Sequence, residues 1–269
     1  MNYFLDITIC ISTYNNAKYI EKTLSPLLAH LSDKMLIIIS DDNSSDGTKE
    51  IISKCISTVD KRFVKFLNNN ENIGGCGNFL RFLDEVETKY VLFFDGDDIL
   101  ETDAIGVLRD YLEKSSAIAV SSYMLFAETE GKVLRARKIS FLNFCLGRRF
   151  PLTGTLIRLD FALLDVWRAT LPCGPRNQGD LTLCLSLLAR GGIVQLPLFG
   201  LRYNKRNELG ESNYNSITSK SEKMRDKLDL INTNFCWYWR KPSFYLLYGW
   251  LILKILKNLY SGRMISNAS

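Results

Sequence analysis

Along the first hundred residues the spacing of hydrophobic positions switches repeatedly between two periods. DITICIS (6–12) is a short apolar run rich in isoleucine and reads as a strand, whereas Asn15 to Leu31 places Ile20, Leu24, Leu27, Leu28 and Leu31 at helical spacing. MLIIIS (35–40) is a continuous apolar run too short for a helix, the pattern of a strand covered on both faces. A second helix is predicted from Asp46 to Ile56, capped by Ser45 or Asp46. FVKFLN (63–68) is strand-like, 78–87 helical, and YVLFF (90–94) a strand again. Such alternation predicts an α/β fold, a Rossmann-like, mostly parallel, doubly wound sheet flanked by helices.

Downstream, a helix is expected over 103–114, strands over 117–127 and 151–158, and a helix over 181–192 ended by Gly191. GIVQLPLFGLRY (192–203) is expected to supply a last pair of strands, and 204–221 a loop. The predicted organisation is one domain over 1–220, with halves at 1–103 and 104–220, followed by a helical C-terminal tail over 221–269.

Parallel sheets of this kind bind ligands beyond the carboxyl ends of their strands. Polar clusters stand at those ends: Ser12, Thr13, Tyr14 and Asn15 after the first strand, Asp41, Asp42 and Asn43 after the second, and Asp95 to Asp98 after the fourth. All three are therefore expected on one rim. Neighbouring carboxylates repel unless a cation neutralises them, and Asp95 and Asp97 can both turn oxygen toward one Mg²⁺ or Mn²⁺, leaving positions open for a diphosphate. The other reading is a solvated turn, with capping roles for Asp46 and Asp98. Calcium loops fail: DGDDILETDA lacks the glycine at its sixth position, and DNSSDGTKEIIS ends in Ser53 where glutamate is required.

Composition narrows the class. With 46% hydrophobic and 23% charged residues the 269-residue chain is neither disordered nor a multi-span membrane protein. The net charge of +5 is unevenly spread, acidic residues clustering early and basic ones late (132–138, Arg148, Arg149, 202–206, and from Arg240), which points to an anionic partner or membrane surface. No nucleic-acid-binding signature accompanies it. The seven cysteines form no CxxC pair, so neither a disulfide framework nor a zinc site is expected, and a reducing, cytoplasmic location is. MNYFLDITIC carries no basic region before its apolar stretch and reads as a first strand, not a signal peptide. In the tail, WYWRKPSFYLLYGWLILKILKNLY (237–260) contains an apolar run too short to span a bilayer. Two readings stand for it: an interfacial helix on the cytoplasmic face of the inner membrane, or a core or dimer helix.

Four ordered segments, ITICISTYNNAKYIEKTL, IIISDDNSSDGT, NENIGGCGNF and YVLFFDGDDIL, together resemble the nucleotide-sugar-binding half of family 2 glycosyltransferases with the GT-A fold, over about residues 5 to 103. The NIGGCGNF form is most similar to members that build bacterial O-antigens and other surface polysaccharides, abequosyltransferases among them. The resemblance implies that Ser12, Thr13, Tyr14 and Asn15 lie along the nucleobase and ribose, that Asp42 with its neighbour Asp41 accepts a hydrogen bond from the base, and that Asn72, Gly74 and Asn78 complete the donor pocket. Asp95, Gly96 and Asp97 match the DxD motif, whose metal, Mn²⁺ or Mg²⁺ on Asp95 and Asp97, bridges the diphosphate. Asp180, in NQGDLTLCLSLLARGG, stands where the family usually has Glu-Asp and is the candidate base; its alternative is a helix N-cap, and Gly179 replaces the glutamate.

Other features depart from the family pattern. Gly75, Cys76 and Gly77 stand where relatives often carry a donor-side arginine, with Arg81 nearby, and the single histidine, His30, is remote from the rim. Gly154 allows close backbone approach to a sugar or marks a bulge. Arg202, Lys205 and Arg206 either screen phosphate or form a solvated basic loop.

The expected activity is inverting, metal-dependent sugar transfer from a nucleotide sugar to a saccharide, lipid-linked in surface-polysaccharide synthesis. A sugar nucleotidyltransferase is the alternative enzyme, although a glycine-rich phosphate loop would be expected where STYNN stands. A catalytically silent scaffold is the non-enzymatic one.

Overall fold

The computed structural model describes residues 5–125, 134–140, 150–171 and 179–202, together with residue 249. In chain order the elements are β1 (Ile7–Thr13), α1 (Ile20–Ala29), β2 (Met35–Asp41), α2 (Thr48–Ile56), β3 (Val64–Asn68), α3 (Gly74–Glu85), β4 (Tyr90–Asp95), β5 (Ile99–Leu100), α4 (Thr102–Lys114), β6 (Ala119–Leu125), β7 (Arg137–Ile139), β8 (Leu156–Arg158), α5 (Phe161–Thr170), α6 (Gly179–Arg190) and β9 (Ile193–Arg202). The strands form one sheet in the order β3-β2-β1-β4-β8-β6-β9-β5, with β7 also pairing β9. The first four are mutually parallel, as alternation predicts, and β8 enters antiparallel between β4 and β6.

The apolar strand runs are continuous because both faces of the sheet are covered. Ile9, Ile11, Ile37, Ile39, Leu92 and Phe94 pack with Ile20, Leu24, Leu27, Ile52 and Leu108 of α1, α2 and α4. Their neighbours Cys10, Ile38, Val91 and Phe93 point the other way, into Phe82, Leu83, Trp167, Leu183 and Leu187 of α3, α5 and α6. Burial pushes the Cys10 thiol well up, so it serves as a packing group.

Four elements differ from their sequence expectations, each for a local reason. α1 begins at Ile20 rather than Asn15, because Asn15 has φ 52° and the preceding N–H groups are bonded outside the helix. α3 begins at Gly74 rather than 78; its glycines carry poor helix propensity, and Asp42 supplies the start that the local sequence lacks. Only Leu156–Arg158 of the expected strand 151–158 is a strand, since Gly154 (φ 72°) turns the chain first. The expected final pair is the single long strand β9, which pairs β7 through its first residues and β5 through its last. The expectations for 204–221 and for the tail, including 237–260, lie outside the described residues, residue 249 excepted. Among the described residues no helix is long and apolar enough to cross a membrane.

Trp167 anchors the second face. It is fully buried, its ring centroid lies 5.9 Å from that of Phe93, and its indole N–H donates to the Ser186 hydroxyl at 2.7 Å. Trp167→Ala is expected to lower unfolding stability by about 3–5 kcal/mol, read by urea denaturation followed by far-UV circular dichroism.

Candidate functional site

The chain runs from β1 outward through β2 to β3 and returns to place β4 on the other side of β1, so the strand order reverses at β1. A crevice outside the carboxyl ends opens at such a reversal. Register then decides which residues meet: Thr13 is level with Asp41, Ser12 with both Ser40 and Asp95, and Asp41 with Asn68. Ser12, Thr13, Asp41 and Asp95, separated by up to 83 positions in sequence, thus share one rim.

The loops beyond the rim are tied to one another. Asn15 N–H donates to Ser44 Oγ at 2.8 Å, Asn16 N–H to Thr48 Oγ1 at 2.9 Å and Ala17 N–H to Asp46 Oδ2 at 3.0 Å, while Ser45 N–H returns a bond to Asn15 Oδ1 at 3.0 Å. Asn15 takes its positive φ where this cross-tie forms, a conformation asparagine tolerates. Tyr14 beside it is 48% exposed, its ring left at the crevice mouth. Burial pushes the Asp46 carboxyl up, but hydrogen bonds from Thr48 and Ala17 outweigh it and hold it below the ordinary carboxylate range. The N-cap position of α2 is Gly47, at φ 90°, rather than Ser45 or Asp46; Asp46 instead holds the N–H and hydroxyl of Thr48 with one oxygen and fastens the first loop with the other.

Asp41 and Asp42 are both buried. Asp41 accepts the N–H of Ser44 at 2.8 Å and its hydroxyl as well, with Lys49 Nζ 4.0 Å away. Asp42 accepts Ile73 N–H at 2.7 Å, Gly74 N–H at 2.9 Å and Asn69 Nδ2 at 3.2 Å. This carboxylate thus caps α3 from a distant loop, satisfying N–H groups that a helix start leaves open and placing negative charge at the positive end of the helix. Gly74, at φ 74°, adopts there a conformation suited to glycine. Asn78 Oδ1 accepts from Ser40 Oγ at 2.6 Å and from Asn69 Nδ2 at 3.0 Å, and Arg81 donates to Asn69 Oδ1. Arg81 thus braces the network behind the rim, while Asn72 stands exposed on the loop before α3.

The last cluster is different. Asp95 is exposed and Asp97 half-buried, whereas Asp98 is buried under the turn. Gly96 N–H donates to Ser12 O at 2.9 Å, and a Cβ on Gly96 would lie 2.7 Å from Thr13 Cβ, so only glycine fits. Ser12 Oγ approaches Asp95 Oδ1 at 3.5 Å. Two oxygen-bearing side chains flank a fixed glycine at the solvent edge. Such a donor set suits a hard divalent cation that keeps positions for phosphate and water. Among the described residues no group of three or more His, Cys, Asp or Glu side chains gathers for a metal, so the remaining ligands would come from elsewhere.

Asp180 lies in the first turn of α6, inside the helix rather than ahead of it. His30, on the residue closing α1, pairs with Pro26 O and is not drawn into the rim. Gly154 N–H donates to Phe93 O at 2.9 Å, fixing the turn beside β4. Ser44, Asn69 and Thr23 do structural work at the site that sequence reasoning did not assign. Thr23 left a signal, being a polar residue on the apolar stripe of α1.

Curated relatives include the GalNAc(5)-diNAcBac-PP-undecaprenol beta-1,3-glucosyltransferase of Campylobacter jejuni, 30% identical over 127 residues, 47% of this chain and 40% of that protein. Abequosyltransferase RfbV of Salmonella typhimurium is 31% identical over 114 residues, 42% of this chain and 34% of that protein. The matches thus span less than half the length of these relatives. Among solved structures, mannosyltransferase PcManGT from Pyrobaculum calidifontis, in complex with GDP-Man and Mn²⁺, superposes with a TM-score of 0.61 at 14% identity, covering 98% of this chain and 81% of that one. The fold is GT-A. The family model described as glycosyl transferase family 2 matches residues 8–163, a segment that contains every rim residue from Ser12 to Asp97, and this chain belongs to that family.

Proposed function

We propose that this chain is an inverting, metal-dependent glycosyltransferase that moves a sugar from a nucleotide donor to a saccharide acceptor. The observation that carries the proposal is the single rim on which parallel register gathers Ser12, Thr13, Asp41 and Asp95, with Asp97 one turn further on. The donor nucleoside lies along Ser12, Thr13, Tyr14 and Asn15, the tyrosine ring offering a stacking face, with Asp41, Asp42, Asn72, Gly74 and Asn78 shaping the pocket behind it. With its oxygens shared among three N–H donors, Asp42 meets the base through its remaining acceptor capacity. Asp95 and Asp97 hold Mn²⁺ or Mg²⁺, which supplies charge neutralisation for the departing diphosphate. PcManGT, holding GDP-Man and Mn²⁺ on the same fold, supports this choice of ligands.

The chain's own contributions are placement and proton transfer. The cross-tied loops hold the donor without reordering, and Asp180 takes the proton from the attacking acceptor hydroxyl as the sugar is displaced in one step. The acceptor is a lipid-linked saccharide of bacterial surface-polysaccharide synthesis, such as O-antigen, lipooligosaccharide or capsule, met at the cytoplasmic membrane face with residues 237–260 as the peripheral contact. The undecaprenol-linked substrate in the name of the Campylobacter relative supports this acceptor class.

Calorimetric titration of UDP, CDP, GDP and dTDP, each with and without Mn²⁺, is expected to show one nucleotide binding only with metal, and Asp97→Asn to abolish that binding. If none of the four binds the wild type, the transferase proposal is lost and a silent scaffold takes its place. Asp180→Asn is expected to lower kcat for the matching sugar nucleotide by roughly 10²–10⁴-fold while leaving nucleotide affinity unchanged. A fall in thermal stability with kcat intact would make Asp180 a helix-start residue and nothing more.

A further inference from the structure

The inward face of α1 carries Ile20, Thr23, Leu24 and Leu27, all buried. A hydroxyl on such a stripe is costly unless it is satisfied. Thr23 Oγ1 lies 2.8 Å from the carbonyl oxygen of Asp98 and 3.1 Å from that of Gly96. It has one proton to give, so Asp98 O takes the shorter bond and Gly96 O shares it. These two carbonyls flank Asp97 on either side in the chain. Across the turn, Gly96 N–H is held by Ser12 O and Asp98 N–H donates to Asp95 O at 3.2 Å. The segment bearing Asp95 and Asp97 is thus pinned from β1 on one side and from α1 on the other.

We infer that Thr23 is a positioning residue for the cation-binding turn: by holding the backbone on both sides of Asp97 it presents that carboxylate beside Asp95 before any cation arrives. The inference rests on the metal-dependent donor binding proposed above. Two like charges meant for one ion repel in its absence, and a backbone fixed in advance removes the ordering that the ion would otherwise have to drive. Thr23 touches neither donor nor metal and acts only through Asp97.

The test compares Thr23→Val, which deletes the hydroxyl and keeps the shape, with Thr23→Ser, which keeps the hydroxyl. Thr8→Val is the control, since it makes the same exchange in the buried Thr8–Thr88 hydrogen bond (2.8 Å) at the opposite end of β1. Mn²⁺ is titrated with UDP, CDP, GDP and dTDP present in turn, free ion is followed by electron paramagnetic resonance, and thermal unfolding is recorded alongside. Thr23→Val is expected to weaken Mn²⁺ binding on the order of tenfold and Thr23→Ser to restore it to within about twofold of wild type. Thr8→Val is expected to lower Tm and leave Mn²⁺ affinity in place.

Wild-type Mn²⁺ affinity in Thr23→Val, or equal weakening in Thr8→Val, overturns the inference. If Thr23→Val does not fold, Thr23→Ala against Thr23→Ser makes the same comparison. Absence of nucleotide-dependent Mn²⁺ binding in the wild type itself overturns both this inference and the donor-site proposal, and is told apart by appearing before any substitution.

Discussion

The in-register parallel pairing of β1 with β2 on one side and β4 on the other is the constraint from which the rest follows. Because side chains alternate across the sheet, a slip of one residue would turn Ile9 and Ile11 toward the wrong layer of helices and would also separate Ser12 from Asp95. Burial of two apolar faces therefore selects the same register that assembles the polar rim. Stability and site geometry are set by one choice.

The early acidic residues meet different fates under that choice. Asp41, Asp42 and Asp46 each accept backbone N–H groups, and Asp41 and Asp46 a hydroxyl as well, which fastens one loop to the next. Asp95 stays exposed and Asp97 half-exposed at the end of β4. The upstream carboxylates thus tie the scaffold together, while Asp95 and Asp97 stand at the solvent edge of the rim.

The sheet and the rim were legible in the sequence because both depend on short-range pattern: apolar runs of strand length, helical spacing between them, and polar residues at the run ends. The start of α3 was not legible, since no nearby side chain caps it and its glycines argue against a helix; its cap, Asp42, comes from 31 residues upstream. The late start of α1 was hidden for the converse reason, because Asn15 to Ala17 look helical locally but spend their N–H groups on the following loop. Thr23 was masked by its helical neighbours, and its role depends on carbonyls more than 70 residues away. Long-range side-chain-to-backbone bonds leave little trace in local periodicity.

Helix α3 is fixed at both ends by parts of the chain that are distant in sequence. Asp42, at the tip of β2, grips its first turn, and Arg168 of α5 donates to Leu83 O near its last turn at 2.9 Å. Between them Phe79 and Phe82 lie against Phe93 of β4. In mechanical terms α3 is a strut tied at its first turn to the tip of β2 and near its last turn to α5, so the loop that bears Asp42 and the helix that bears Trp167 are joined through one rod.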